Sequence, residues 1–234
     1  THDAPWRQSR AGEPVSPALR PATPVIAIDG TAASGKGTIA RALARELKFD
    51  HLDTGALYRA VAALVLRAGG DPGSRHDALK ACAGFCPGIV PEAELRSAAV
   101  GEAASQVAVL PEVRAALRDL QVRFAASPPG GRGAVIDGRD IGTVIAPEAT
   151  AKLFVTAGIA ERAPRRWREV QILDPAKTYE TILAELRQRD ARDAGRAAAP
   201  MRPAQDAILL DTTDLSIDAA VAAALEAVRG KLEA

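Results

Sequence analysis

The stretch Ile26-Ala27-Ile28-Asp29-Gly30-Thr31-Ala32-Ala33-Ser34-Gly35-Lys36-Gly37-Thr38 constrains this chain more than any other. A short apolar run stops at a glycine, and a loop of small residues with one lysine follows. Ile39-Ala40-Arg41-Ala42-Leu43-Ala44-Arg45 then continues at helical spacing. The order predicted is strand, phosphate-binding loop, helix. Gly30 and Gly35 let the backbone turn its N–H groups inward, so that residues 30–38 wrap a polyphosphate. The helix behind them adds free N–H groups and a partial positive charge. Lys36 supplies a full charge where the β- and γ-phosphates would lie. A glycine-rich turn with an exposed lysine is the plainer reading, but the flanking strand and helix favour nucleotide binding. The strict pattern places Ser or Thr directly after the lysine, where the hydroxyl holds Mg²⁺. Here Gly37 stands there and Thr38 comes one later, which makes Thr38 the candidate Mg²⁺ ligand.

Composition narrows the classes. The 234 residues suit one domain, or one with an insertion, and 47% hydrophobic residues suffice for a core. Aromatics are only 3%, so Ala, Leu and Val must fill it. Thirty basic against 29 acidic side chains give a net charge of +1, which argues against a nucleic-acid or membrane-surface partner. No apolar run approaches the roughly 20 residues of a membrane span, and the polar, proline-rich start carries no visible signal peptide. Cys82 and Cys86 are the only cysteines and read as reduced thiols of a cytoplasmic protein. His2, His51 and His76 are too few and scattered for a histidine metal site.

Residues 1–23 read as a flexible leader, with the ordered domain starting near Pro24. Strands are expected at Val25–Asp29, Phe49–Leu52, Ala134–Asp137, Lys152–Thr156 and Ala207–Asp211. Helices are expected at 37–47, 56–68, 104–126 (restarting at Pro111), 159–170, 178–194 and 216–230. Residues 74–103 give no clear pattern. Strands alternating with helices predict an α/β domain with a parallel sheet, whose ligands sit beyond the carboxyl ends of the strands. Asp29, Asp53, Asp137 and Asp211 fall at such ends, and Asp53 or Thr54 reads as the cap of the helix at 56. Asp137-Gly138-Arg139-Asp140 puts an arginine and a carboxylate at the same edge as the loop. Arg162, Arg165, Arg166 and Arg168 cluster on one helix, while Arg189, Arg192 and Arg196 recur on one face of another. Beside a phosphate loop these arginines read as a phosphate clamp rather than as solvated surface charges. No histidine or carboxylate pair reads as a general base, which suits an acceptor that is itself a phosphate. The chain has no asparagine, which excludes a GTPase switch reading guanine through Asn-Lys-x-Asp.

Together these segments resemble bacterial cytidylate kinase, within the nucleoside monophosphate kinases, from about Pro24 to the C-terminus. The most specific stretches are Asp137-Gly138-Arg139-Asp140-Ile141-Gly142-Thr143-Val144, Arg189-Asp190-Ala191-Arg192-Asp193 and Arg196-Ala197-Ala198-Ala199-Pro200. Leu52-Asp53-Thr54-Gly55-Ala56-Leu57-Tyr58-Arg59 and Pro111-Glu112-Val113-Arg114 add to them. The resemblance implies a P-loop kinase core with a five-stranded parallel sheet flanked by helices. Its core would be 24–53, 127–157 and 173–234, its acceptor-binding insertion 54–126, and its lid 158–172. It implies a monomeric enzyme that passes a phosphoryl group from ATP, with Mg²⁺, to CMP or dCMP. A kinase for UMP, AMP or shikimate is the alternative.

By the same resemblance Ser105, Arg114 and Asp140 would read cytosine, and Arg189 and Asp193 would hold the ribose. Arg59, Arg139 and Arg196 would grip the acceptor phosphate, in a pocket lined by Thr54 and Tyr58. Arg162 and Arg166 would reach ATP from the lid, beside Gly30, Thr31, Ala32, Ala33, Ser34, Gly35, Lys36, Gly37 and Thr38. Lys36, Arg139 and Arg192 would neutralise the transferring group. The chain departs from many members in two ways. Cys82–Glu94 leaves little room for the β-hairpin they carry before the Ser105 segment. Pro164 interrupts the lid arginines and reads as the first-turn proline of a helix starting near it.

Overall fold

In the computed structural model, which describes residues 23–86, 88–172 and 174–233, strand β1 (Val25–Gly30) is buried at all six positions. That burial on both faces is why its sequence reads as an almost unbroken apolar run. It pairs in parallel with β3 (Ala134–Asp137) on one side and β4 (Ala151–Thr156) on the other. Strand β2 (Asp50–Asp53) joins β3, and β5 (Ile208–Asp211) joins β4, giving the parallel order β2-β3-β1-β4-β5. The five-stranded parallel sheet read from the sequence is therefore present. The leader expected over 1–23 lies, apart from Thr23, outside the described residues.

Alternate residues of β1 serve opposite faces. Ile26 and Ile28 pack with Ile39 and Leu43 of α1 (Lys36–Leu47) and with Ala220, Ala224 and Val228 of α9 (Ile217–Leu232). Val25 and Ala27 face the other way, against Ala125 of α6 (Pro111–Ala126) and a π-helical turn at Ile141–Ile145. Between β2 and β3 come α2 (Thr54–Arg67), α3 (Arg75–Ala83), α4 (Glu92–Leu95), α5 (Ala98–Val107) and α6. They bury their own cluster around Leu57, Val61, Val65, Ala104, Val107, Val113 and Leu117. Helices α7 (Ile159–Gln171) and α8 (Tyr179–Ala194) pack together through Ala163, Val170, Ile182 and Leu186, with loop residue Ala32 in the same cluster. Alanine fills many of these contacts, as the shortage of aromatic residues demanded.

Side-chain oxygens start most of the helices. Asp53, Ser74, Ser97, Thr178 and Ser216 accept N–H bonds at the starts of α2, α3, α5, α8 and α9, each contributing about 1 kcal/mol. Residues 74–103 were unreadable because alanine is the main buried residue of α3, so apolar and polar faces hardly contrast. Cys82–Glu94 spans the end of α3 to α4, with no strand among its described residues.

One local expectation changes. Pro164 is not in the first turn of its helix: α7 starts at Ile159, because the Gly158 carbonyl already accepts from Glu161 and Arg162 N–H, and the proline lies inside. The turn at 141–145 carries no propensity signal and forms through tertiary bonds. Among the described residues no helix is long and apolar enough to cross a membrane.

Gly30 sits at φ +144, and a Cβ there would overlap the Val155 carbonyl oxygen of β4. Gly30→Ala is expected to cost about 3 kcal/mol or more, measured as a lowered midpoint in urea unfolding.

Candidate active site

The carboxyl ends of β1, β2 and β3 deliver Gly30, Asp53 and Asp137 to one edge of the sheet. Beyond them the chain turns back as the loop 31–35. Gly35 takes the left-handed conformation (φ +86), and no atom lies within 4 Å of where its Cβ would stand. Ala33 is also left-handed at φ +59. Ser34 turns its hydroxyl back to the Thr31 carbonyl at 2.9 Å, and the Thr31 hydroxyl is buried without a partner. This is an open cradle with its amides unspent on side chains. Lys36, at the first position of α1, reaches back to the Thr31 carbonyl at 3.5 Å. Burial, followed by the nearby Arg139 charge, lowers its pKa to about 7, while Asp137 opposes that shift.

A cleft of about 560 Å³ opens beside the lysine. All ten residues assigned to the acceptor line it: Thr54, Tyr58, Arg59, Ser105, Arg114, Arg139, Asp140, Arg189, Asp193 and Arg196. They come from α2, α5, α6, the β3 end, α8 and, for Arg196, the segment just beyond α8, which the fold brings together. Arg139 Nε donates to Asp193 at 2.9 Å. Arg189 stands 4.0 Å and Arg196 3.9 Å from the same carboxylate. Three guanidinium groups thus share one acid. Burial, then Arg139, lowers the Arg189 pKa to about 10. Nitrogens of Arg59, Arg189 and Arg196 are buried without a partner. Unpaired buried donors on cations are costly, and an anion would satisfy them.

In the same cleft, Asp140 pairs with Arg114, which lies over the Tyr58 ring at 5.8 Å from its centre. Burial pushes the Asp140 carboxyl up, while Arg114, Arg196 and Arg139 hold it down. Asp53 caps α2 through the Ala56 N–H and also takes Arg59 at 2.6 Å. Of the two capping candidates Asp53 is the one used. Thr54 instead donates to the Asp137 carbonyl at 2.8 Å.

A second cleft, of about 1200 Å³, adjoins the far side of the loop. Ala33, Ser34, Gly35 and Thr38 form one wall, and Leu215, Ile217, Ile172 and Arg165 the others. The Thr212 hydroxyl donates to the Ser34 carbonyl at 2.9 Å, and Arg165 donates to the Thr212 carbonyl at 3.0 Å.

A family model described as cytidylate kinase matches residues 26–230. A cytidylate kinase of Paramagnetospirillum magneticum is 55% identical over 207 residues, 88% of this chain and 98% of that one. One of Cereibacter sphaeroides is 56% identical over 203 residues (87% and 94%), and one of Rhodospirillum rubrum 50% over 208 (88% and 98%). The chain belongs to the cytidylate kinase family.

In this member of the cytidylate kinase family, three expected arginines sit differently from the clamp. Arg162 is buried in α7, donating to the Ala157 and Ala32 carbonyls at 2.8 and 3.2 Å and to Asp190 at 2.6 Å. It therefore supports the loop backbone. Arg166 pairs with Glu169 at 3.2 Å, and the arginines of α7 at the loop-side cleft are Arg165 and Arg168. Arg192 donates to Ser105 at 2.7 Å and to Glu102 at 2.9 Å, which ties α8 to α5. Asp53 and Asp137 line the acceptor cleft without having been assigned to it. The sequence shows no histidine or carboxylate pair that reads as a general base; parallel pairing of β2 with β3 puts His51 Nε2 2.7 Å from Asp137 Oδ1.

A bound triphosphate favours charged Lys36, so its pKa must rise on binding. Above pH 7 binding is then expected to take up a proton, and affinity to fall as pH rises. Calorimetric titration with ATP in buffers of different ionisation enthalpy, at pH 7 to 9, measures the uptake.

Proposed function

We propose that the protein transfers the γ-phosphoryl group of ATP to CMP and dCMP. Convergence of half-buried Arg139 and Arg189 and buried Arg196 on the single carboxylate of Asp193, next to Lys36, carries this reading. Such excess positive charge suits two phosphates meeting, one held by the loop amides and one by the arginines. Phosphoryl transfer depends mainly on this positioning and neutralisation.

The chemistry needs little else from the chain. An acceptor phosphate oxygen is already ionised at neutral pH, so it attacks the γ-phosphorus without a general base. The bond to the β–γ bridging oxygen breaks, and ADP leaves. Loop residues 30–38 hold the donor phosphates, with Lys36 taking up charge on the transferring group. Arg59, Arg139 and Arg196 align the acceptor phosphate, while Arg189 and Asp193 hold the ribose. Mg²⁺ would travel with ATP and neutralise its phosphates. The Thr38 hydroxyl, exposed on the first turn of α1 at the loop, fits it, since Mg²⁺ uses few protein ligands and keeps its waters.

Asp140 gives the cleft its preference. Its carboxylate accepts from the exocyclic amine of cytosine, whereas uracil presents a carbonyl there and is repelled. Ser105 and Arg114 complete that reading. We assign α2–α6 as the acceptor-binding insertion and α7 as the lid over the donor, within one kinase domain of cytoplasmic location.

Lys36→Ala is expected to lower kcat by about 100-fold or more with an unchanged circular dichroism spectrum. Asp140→Ala is expected to reduce the CMP-over-UMP ratio of kcat/KM by about 100-fold. A coupled ADP-release assay across CMP, dCMP, UMP and AMP measures both. Equal turnover of these acceptors by the unaltered protein would sink the substrate assignment.

A further inference from the structure

Asp140 occupies the N-cap position of the π-helical turn at Ile141–Ile145, yet its own side chain makes no capping bond. It is turned onto Arg114 instead. The first N–H groups of the turn are nevertheless satisfied. Ile141 N–H donates to Asp29 Oδ1 at 2.7 Å, and Gly142 N–H to Asp29 Oδ2 at 2.8 Å. The carboxylate comes from the end of β1, more than a hundred residues away in sequence. Just before the turn, Gly138 N–H donates to the Ile28 carbonyl at 2.9 Å. Adjacent residues of β1 therefore grip the chain on both sides of Arg139 and Asp140. Asp29 is itself buried. Burial pushes its pKa up to about 6 against the two N–H donors, so at neutral pH both oxygens act as acceptors.

We propose that Asp29 is a positioning residue for the acceptor base, capping from another strand the turn that Asp140 begins and thereby freeing the Asp140 carboxylate for the cleft. This rests on the reading of the cleft as a CMP site. An N-cap residue ordinarily spends its side chain on its own helix. Asp140 cannot do that and also face a ligand. Asp29 removes the conflict, and nothing local to residues 138–145 replaces it. Asparagine at 29 would keep one acceptor and turn its amide toward the other N–H, leaving that donor buried and unpaired.

The test compares Asp29→Asn with the unaltered protein by kinetics and by amide hydrogen exchange without ligands. Expected are a KM for CMP raised about tenfold and a CMP-over-UMP preference reduced about tenfold, with KM for ATP within about twofold. In an Asp140→Ala background, Asp29→Asn should no longer alter base preference. Exchange should quicken over residues 139–145 and not over 31–38. Unchanged exchange over 139–145, or equal losses for ATP and CMP, would overturn the proposal and leave Asp29 as a support of the phosphate loop. The exchange comparison stands even if the unaltered protein shows no CMP preference, so the two failures are distinguishable. Should Asp29→Asn not fold, Gly142→Ala serves. Its Cβ would lie 3.4 Å from Asp29 Oδ2 and 3.2 Å from Lys152 Cδ, and a smaller shift of the same kind is expected. Unaltered CMP kinetics and exchange in Gly142→Ala would overturn the proposal as well.

Discussion

Like charges held close together at the carboxyl edge of the sheet are the constraint around which this molecule is arranged. Arg139, Arg189 and Arg196 converge on Asp193, and Lys36 stands near Arg139. The guanidinium groups are half-buried or buried, so the repulsion is screened less than it would be on an open surface. Burial of Arg189 and Lys36 lowers the pKa of each, the mark of cations held without full compensation. Their surroundings must therefore be rigid. That rigidity comes from the sheet and from the alanine-rich packing of α1 and α9 on one face and α6 on the other. On the proposed reading, the negative charge that relaxes the cluster arrives with the substrates.

On the proposed assignment, one strand serves as the reference for both substrates. Gly30 ends β1 and opens the donor loop, while Asp29 and the Ile28 carbonyl hold the backbone around Arg139 and Asp140. The phosphate loop and the backbone around Arg139 and Asp140 are thus fixed to adjacent residues of a strand buried on both sides. In-line transfer tolerates little error in the separation of two phosphates, so a common rigid anchor has a direct catalytic consequence. The helical elements α7 and α8 reach the same place by another route. Arg162 ties α7 to the Ala32 carbonyl and to Asp190 of α8, and Arg192 ties α8 to Ser105 and Glu102 of α5. A shift of either helix would be felt at both the loop and the acceptor cleft.

Cations and loops were easier to read than carboxylates and caps. Lys36 and the glycines announce themselves by spacing, because a backbone cradle needs small residues at set positions. The acceptor arginines stand in contiguous stretches, and all of those assigned to the acceptor line one cleft. Asp29, Asp53 and Asp137 looked alike in sequence, as acids at strand ends. Their roles differ according to what packs beside them: a distant turn, the first turn of α2 with Arg59, and His51. The arginines of α7 show the same limit from the other direction. Four occur within seven residues, and only helix phase and packing decide that Arg162 is buried against the loop while Arg165 faces the second cleft.

By itself the sequence determined the class of fold, the phosphate loop and the stock of charged groups for the acceptor. Each of these depends on local spacing: apolar runs of strand length, glycines where the backbone must turn, arginines three and four apart. Only the tertiary structure decided which acid neutralises which cation, that the turn after Asp140 is capped from β1, and that His51 meets Asp137. Most of those pairings join residues tens to more than a hundred positions apart. Their energies depend on burial and distance, and neither exists until the strands are side by side.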